Sequence, residues 1–178
     1  PDLTFADPRS DKLGWRILAP QDLAARAATV IGAELVESAD YEAHRIATSV
    51  PSGGTDFAFG DVFPHEANMD RLHGVDFDKG CYVGQEVVSR MEHRGTARSR
   101  IVRVLLDDGV PEAGAAIVAA DKPVGTMGSS AAGQGLALLR LDRAADAIEA
   151  GIALMAGAIP IRVADPDDLK LPAKKTVA

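Results

Sequence analysis

Apolar positions in the first half of the chain recur at helical spacing. Leu23, Ala27, Val30 and Ile31 stand at i, i+4, i+7 and i+8, the stripe of an amphipathic helix. Ahead of them, residues 13–18 (Leu-Gly-Trp-Arg-Ile-Leu) read as a short strand that Pro20 closes. A second helix is predicted over about residues 40–48, stopped by Pro51-Ser-Gly-Gly. Residues 52–80 are rich in Gly, Asp and Phe, and Pro64 suits the first position of a further short helix. A third helix is predicted from Gly84 to Gly95, carrying Glu86 and Arg90 as an i,i+4 pair.

Beyond Gly95 the period falls to two. Residues 98–106 alternate basic and apolar, and Asp107-Asp-Gly then marks a turn. Short apolar runs follow at 116–119, 124–127, 136–141, 152–155 and 159–163, each bounded by Gly, Pro or Asp. Strands at this spacing predict a small antiparallel barrel or sandwich. The chain therefore divides into a helix-bearing part over residues 1–96, strands over 97–165 and a tail of loose composition over 166–178, an α+β organisation.

Composition narrows the classes. The 178 residues are 47% hydrophobic but only 4% aromatic, with alanine supplying much of the apolar fraction, enough for a core and too apolar for general disorder. No run approaches a membrane span, and a single cysteine excludes an internal disulfide framework and a self-contained CxxC-type zinc site. These features lead us to expect a soluble cytoplasmic protein that does not engage membranes. The net charge of −7 argues against a protein that coats nucleic acid, yet it is unevenly spread. Between Ser89 and Arg103 five arginines (Arg90, Arg94, Arg98, Arg100, Arg103) stand against one acid, Glu92. That strip is either an anion site or an ordinary solvated helix end running into an edge strand.

Chemistry concentrates in Asp78-Lys-Gly-Cys-Tyr-Val-Gly-Gln-Glu86. The only cysteine, Cys81, lies between two glycines just ahead of a predicted helix, whose free N–H groups favour an anion, and Lys79 acts in the same direction. Tyr82 offers a stacking face with a polar tip, and Gln85 and Glu86 either read a heterocycle or cap the backbone. Against this, a free cysteine is commonly a small buried hydrophobe. One thiolate cannot satisfy a metal or cluster, so if Cys81 is a metal ligand, a partner must complete the shell. The histidines 44, 65, 73 and 93 form no HExxH or hydrolase pattern, Asp56, Asp61, Asp76 and Asp78 sit where turn chemistry explains them, and nucleotide-binding loops are absent from the sequence.

Lys79-Gly-Cys-Tyr-Val-Gly-Gln-Glu86 resembles the K-G-C-Y-x-G-Q-E signature of the YgfZ family, folate-binding proteins of iron–sulfur cluster assembly related to the glycine-cleavage T-protein. Flanking matches support it: Asp7-Pro-Arg with residues 13–18, Tyr41-Glu-Ala-His-Arg with Val50-Pro51, Pro64-His-Glu-Ala-Asn-Met-Asp70, Arg94-Gly95, Val124-Gly-Thr and residues 135–140. The resemblance implies the C-terminal part of a T-protein-like fold ending in a small antiparallel barrel, with tetrahydrofolate in a central channel. It also implies that Cys81 is the functional thiol, with Lys79, Tyr82, Gln85, Glu86, Arg45 and Arg94 around the cofactor. The implied role is maturation or repair of [4Fe–4S] proteins, including radical-SAM enzymes that modify tRNA. The cluster is a transient partner, alongside assembly proteins and client enzymes. Relatives of that family carry roughly one more domain-sized segment before the region matching residue 1, so a fragment or short member is expected. Ala47 also stands where relatives carry a pterin-holding glutamate, and Ser49 where they carry glycine. Loss of such an acceptor costs ~1–3 kcal/mol, which weakens the folate expectation. The reading therefore favours an accessory protein over an enzyme. Folate-dependent aminomethyl transfer and a tRNA-binding module using Arg90 to Arg103 are the alternatives.

Overall fold

Six of the predicted short strands close on one another. In the computed structural model, which describes residues 3–94 (without the Arg94 side chain) and 97–171, β3 (Ser99–Leu106), β4 (Ala116–Ala119), β5 (Lys122–Ala131), β6 (Gln134–Arg140), β7 (Leu154–Ala156) and β8 (Ile159–Val163) form a closed barrel. The order around it is β3-β6-β5-β4-β7-β8, every pairing antiparallel. Closure removes both sheet edges, so of the two architectures read from strand spacing the chain adopts the barrel. Its interior is filled by Val102, Val104, Ile117, Val124, Met127, Leu139 and Leu154, all buried.

One helix of the barrel escaped the reading. The sequence ends a strand run at Leu141 and predicts no element over residues 142–149, yet α4 (Leu141–Glu149) forms there and buries Leu141, Ala144 and Ala147 at i, i+3 and i+6. Small alanine side chains supply the inward face, which is why the stripe is faint in the sequence. Composition also misleads at 166–169. That segment, expected to begin a loose tail, forms a 3-10 turn capped by Asp165, and its Leu169 is buried against the core. Residues 172–178 lie outside the described residues, as does Gly95, taken as the end of the third helix.

Ahead of the barrel, β1 (Leu3–Ala6) and β2 (Trp15–Leu18) pair as an antiparallel ribbon, followed by α1 (Ala24–Ile31) and α2 (Ser38–Ala47). The ribbon's first strand was not predicted, while both helices fall where periodicity put them. A capping box of Glu37 and Asp40 starts α2. Residues 61–73 form successive turns rather than the short helix expected after Pro64. Asn68 explains the difference: its backbone is left-handed at φ 60°, and its amide donates to the Ile101 carbonyl (2.8 Å), so the chain is bent to fit β3. The third predicted helix is α3 (Gln85–Arg94). Among the described residues no helix is long and apolar enough to cross a membrane.

The turn between β1 and β2 is organised by Asp7, which is buried and accepts from Arg9 N, Nε and Nη2 and from Arg16 Nε (2.6 Å). Hydrogen bonds from Arg9 outweigh the opposing effect of burial, and with Arg16 they hold the carboxyl well below the usual carboxylate range. At Asp70 burial pushes upward but the Arg100 guanidinium prevails, again leaving the group lowered. Both carboxyls are harder to protonate folded than unfolded. Acid therefore favours the unfolded chain, beginning near the ordinary aspartate pKa of about 3.9 and deepening towards the folded values. The expected result is a thermal midpoint that falls steeply below about pH 4, with a shallower fall in an Asp7→Asn variant. Thermal melts of the two proteins across this range check it.

Candidate functional site

The Cys81 segment is shaped by local hydrogen bonds before any tertiary contact is made. Asp76 Oδ1 accepts from the N–H groups of Asp78 and Lys79 (2.9 and 3.2 Å), an Asx turn that aims the loop outward. Gly84 then adopts φ 90°, a conformation costly for other residues, and passes the chain into α3. Gln85 folds back so that its Oε1 accepts from Tyr82 N–H (3.3 Å), which is the capping role of the two left open for it. Lys79 Nζ sits 4.3 Å above the centre of the Tyr82 ring, a cation–π contact. Cys81 is exposed at the tip of this loop, four positions before the first helical residue.

Helix α3 is anchored from below. Val88 and Met91 are buried, and Glu92 Oε2 lies 3.2 Å from Nε2 of the buried His65. His65 also leans on Phe77 in the loop before Cys81, with ring centres 6.1 Å apart. Residue 65 thus ties the 61–73 turns, the Cys81 loop and α3 together. Sequence reasoning did not single it out, and its one signal was its place in Pro64-His-Glu-Ala-Asn-Met-Asp70.

Two cavities of about 340 Å³ flank the loop and share Asp76, Lys79, Tyr82 and Val88 as a common wall. One is polar, adding Asp78, Gln85, Glu92 and His93, and the other is apolar, adding Phe63, Met69, Val83 and Val87. Lys79, Tyr82 and Gln85 are therefore brought together around the polar cavity, while Cys81 is exposed in the same loop and lines neither cavity. Glu86 is exposed, and among the described residues no ion pair joins it to Arg90. His44 lies apart, its Nε2 2.8 Å from the Lys12 carbonyl oxygen.

Arg45 is elsewhere and fully engaged. It is buried, donating from Nη1 to Asp56 Oδ2 and the Val50 carbonyl (2.7 Å each) and from Nη2 to Glu42 Oε2 (2.6 Å) and Ser129 Oγ (2.9 Å). Asp56, expected to be a turn residue, is buried with it and accepts from the Ser129 N–H and hydroxyl (2.7 and 2.6 Å). The network fastens α2 to β5. Gly128 admits it: a Cβ there would lie 2.5 Å from Asp56 Oδ1. Ala47 is exposed at the end of α2 and offers no acceptor. Arg45 is thus committed to Glu42, Asp56 and Ser129, and position 47 presents no carboxylate.

The five arginines are not one strip. Arg100 is buried, donating from Nη1 to Asn68 Oδ1 and Asp70 Oδ1 (3.0 and 2.8 Å) and from Nη2 to Asp70 Oδ2 (2.9 Å). Arg103 donates to Gln134 Oε1 (2.6 Å), and the Arg94 side chain lies outside the described residues. Arg90 and Arg98 are left exposed.

Residues 98–171 match the family described as CAF17, C-terminal beta-barrel domain. Over a longer stretch the chain is similar to the iron–sulfur cluster assembly factor IBA57, mitochondrial, of Homo sapiens, with 36% identity covering 77% of this chain and 39% of that protein. It is also similar to the Mus musculus protein of the same name (38%, covering 78% and 39%) and to the Mycosarcoma maydis homolog (47%, covering 54% and 23%). The chain thus spans about two fifths or less of the length of these curated relatives. Their names correct the expectation of a cytoplasmic protein, because they are those of mitochondrial proteins.

Proposed function

We propose that this chain carries the thiol-presenting part of an iron–sulfur cluster assembly factor, with Cys81 supplying one ligand to a cluster in transit. The observation that carries the reading is the exposure of Cys81 at the tip of a loop held by an Asx turn, a cation–π contact and a capped helix. Among the described residues no three His, Cys, Asp or Glu side chains stand together as a metal-ligand group, so the remaining ligands come from the partner that brings the cluster. The step is a ligand exchange without net oxidation or reduction. The Cys81 thiol gives its proton to solvent, the thiolate sulfur binds an iron of the cluster, and one partner ligand leaves. Similarity to proteins named as assembly factors supports the role, and maturation of [4Fe–4S] clients, including radical-SAM enzymes that modify tRNA, is its finer form.

Complementation tests it. In a host lacking its own assembly factor, the wild-type protein is expected to restore activity of a [4Fe–4S] enzyme, while Cys81→Ser and Cys81→Ala fail although their circular dichroism is unchanged. Replacement of an exposed side chain outside any helix or strand leaves folding within about 0.5 kcal/mol. Full restoration by Cys81→Ser would exclude a ligand role.

A further inference from the structure

A groove runs along one face of α3 and changes character on the way. Near Cys81 it is the apolar cavity walled by Phe63, Met69, Val83 and Val87, all exposed. One helical turn further on, the same Phe63 and Val87 become the edge of a second cavity of about 400 Å³, lined by Arg90, Arg98, Arg140 and Glu66. The helix sets part of this order: Val87 and Arg90 stand at i and i+3 on α3 and share a face, while Val83, in the turn before the helix, lines the apolar cavity with Val87.

The charges in the second cavity are not equivalent. Arg140 is paired with Asp142 (2.9 Å), and Glu66 turns its Oε2 to the Phe63 N–H (2.9 Å). Arg98 contributes only its charge to Asp142, without a hydrogen bond, and among the described residues Arg90 has no charged partner. Two guanidiniums therefore project from a chain whose net charge is −7. Large exposed apolar surface continuous with unpaired charge of one sign marks an interaction site more often than plain surface.

We infer that this groove docks an acidic segment of a partner protein, with an apolar side chain over Phe63, Val83 and Val87 and carboxylates on Arg90 and Arg98. The apolar end supplies the buried anchor, and the arginines set direction and encounter rate, because guanidiniums pair carboxylates bidentately. A segment bound this way lies beside Cys81, two residues before Val83. The inference rests on the proposed function for its purpose, delivering the partner's ligands to the thiol, but not for its geometry.

Fluorescence anisotropy with a labelled peptide, Leu-Phe-Ala-Ala-Glu-Glu-Asp-Glu, tests it. The expected result is saturable binding that weakens as ionic strength rises from about 0.05 to 0.5 M. Affinity should fall about tenfold or more in the Arg90→Glu/Arg98→Glu double variant and several-fold in Val83→Asp, all at exposed positions. A Cys81→Ser variant should bind as the wild type does. Equal binding of the counterpart with lysines for the acids, equal binding of tetraglutamate without the apolar pair, or indifference to the double substitution would overturn the inference. The two readings fail separately. Loss of peptide binding with Cys81-dependent complementation intact removes the docking groove alone, and groove-dependent binding with full complementation by Cys81→Ser removes the thiol role alone.

Discussion

Asp56→Ala is expected to destabilise the protein by about 3–5 kcal/mol, the cost of removing one partner from a buried ion pair. Both carboxylate oxygens are in use: Oδ2 accepts from Arg45 and from the Ser52 N–H (2.7 Å each), and Oδ1 accepts from the N–H and hydroxyl of Ser129. Alanine leaves the Arg45 guanidinium inside the protein with one carboxylate, Glu42, on its solvent side, and deprives the Ser129 and Ser52 amides of their acceptor. A guanidinium does not lose its proton in proteins, so the charge cannot be shed to relieve the loss. Glu42→Ala provides the contrast. Its carboxylate is 43% exposed, and an effect of at most about 1 kcal/mol is expected. Urea unfolding of the two variants measures the difference, and an Asp56→Ala protein as stable as Glu42→Ala would show that this network does not hold α2 to β5.

A comparable loss, again about 3–5 kcal/mol, is expected for Arg100→Ala. Its guanidinium holds Asp70 through both carboxylate oxygens and Asn68 through the amide oxygen, while Asn68 and the Glu66 carbonyl complete the attachment to Ile101 (2.8 Å each). These bonds seat the 61–73 turns on β3, and those turns carry Phe63 and His65, which wall the groove and anchor α3. The loss is expected to be uneven. Amide hydrogen exchange should accelerate over 61–73 and α3 more than over β5 and β6, whose pairing does not depend on Arg100. Arg100→Lys should recover only part of the stability, because an ammonium cannot span both oxygens of Asp70. Uniform acceleration through the barrel would instead make Arg100 a general core residue.

How far the sequence reaches differs between elements for physical reasons. Helices α1, α2 and α3 and the short barrel strands were legible because periodicity, Gly and Pro are local signals. Helix α4 was missed because alanines form its inward face, and the turn at Asn68 was misread because a contact with β3, more than 30 residues away, overrides helix propensity. Around Cys81 the loop and the helix start were readable from Gly84, while capping by Gln85 was one of two roles that the structure then decided. Arg45 and Arg100 were not, since a guanidinium on a polar stripe looks solvated until its partner is known. Arg45 meets Ser129 from 84 positions away, and Arg100 meets Asp70 from 30.

Local chemistry, then, was enough to specify an α+β chain with a strand-rich second half and a single thiol between two glycines ahead of a helix. Those features depend on backbone preferences and side-chain spacing within a few residues, and they survive without knowledge of the rest. Closure of the barrel, the sorting of five arginines into buried and exposed, and the groove that places Phe63 beside Val87 and Arg90 arise only when distant segments meet. Burial decides what each charge can do: a guanidinium that must be paired becomes structural, and one left at the surface stays available to a partner.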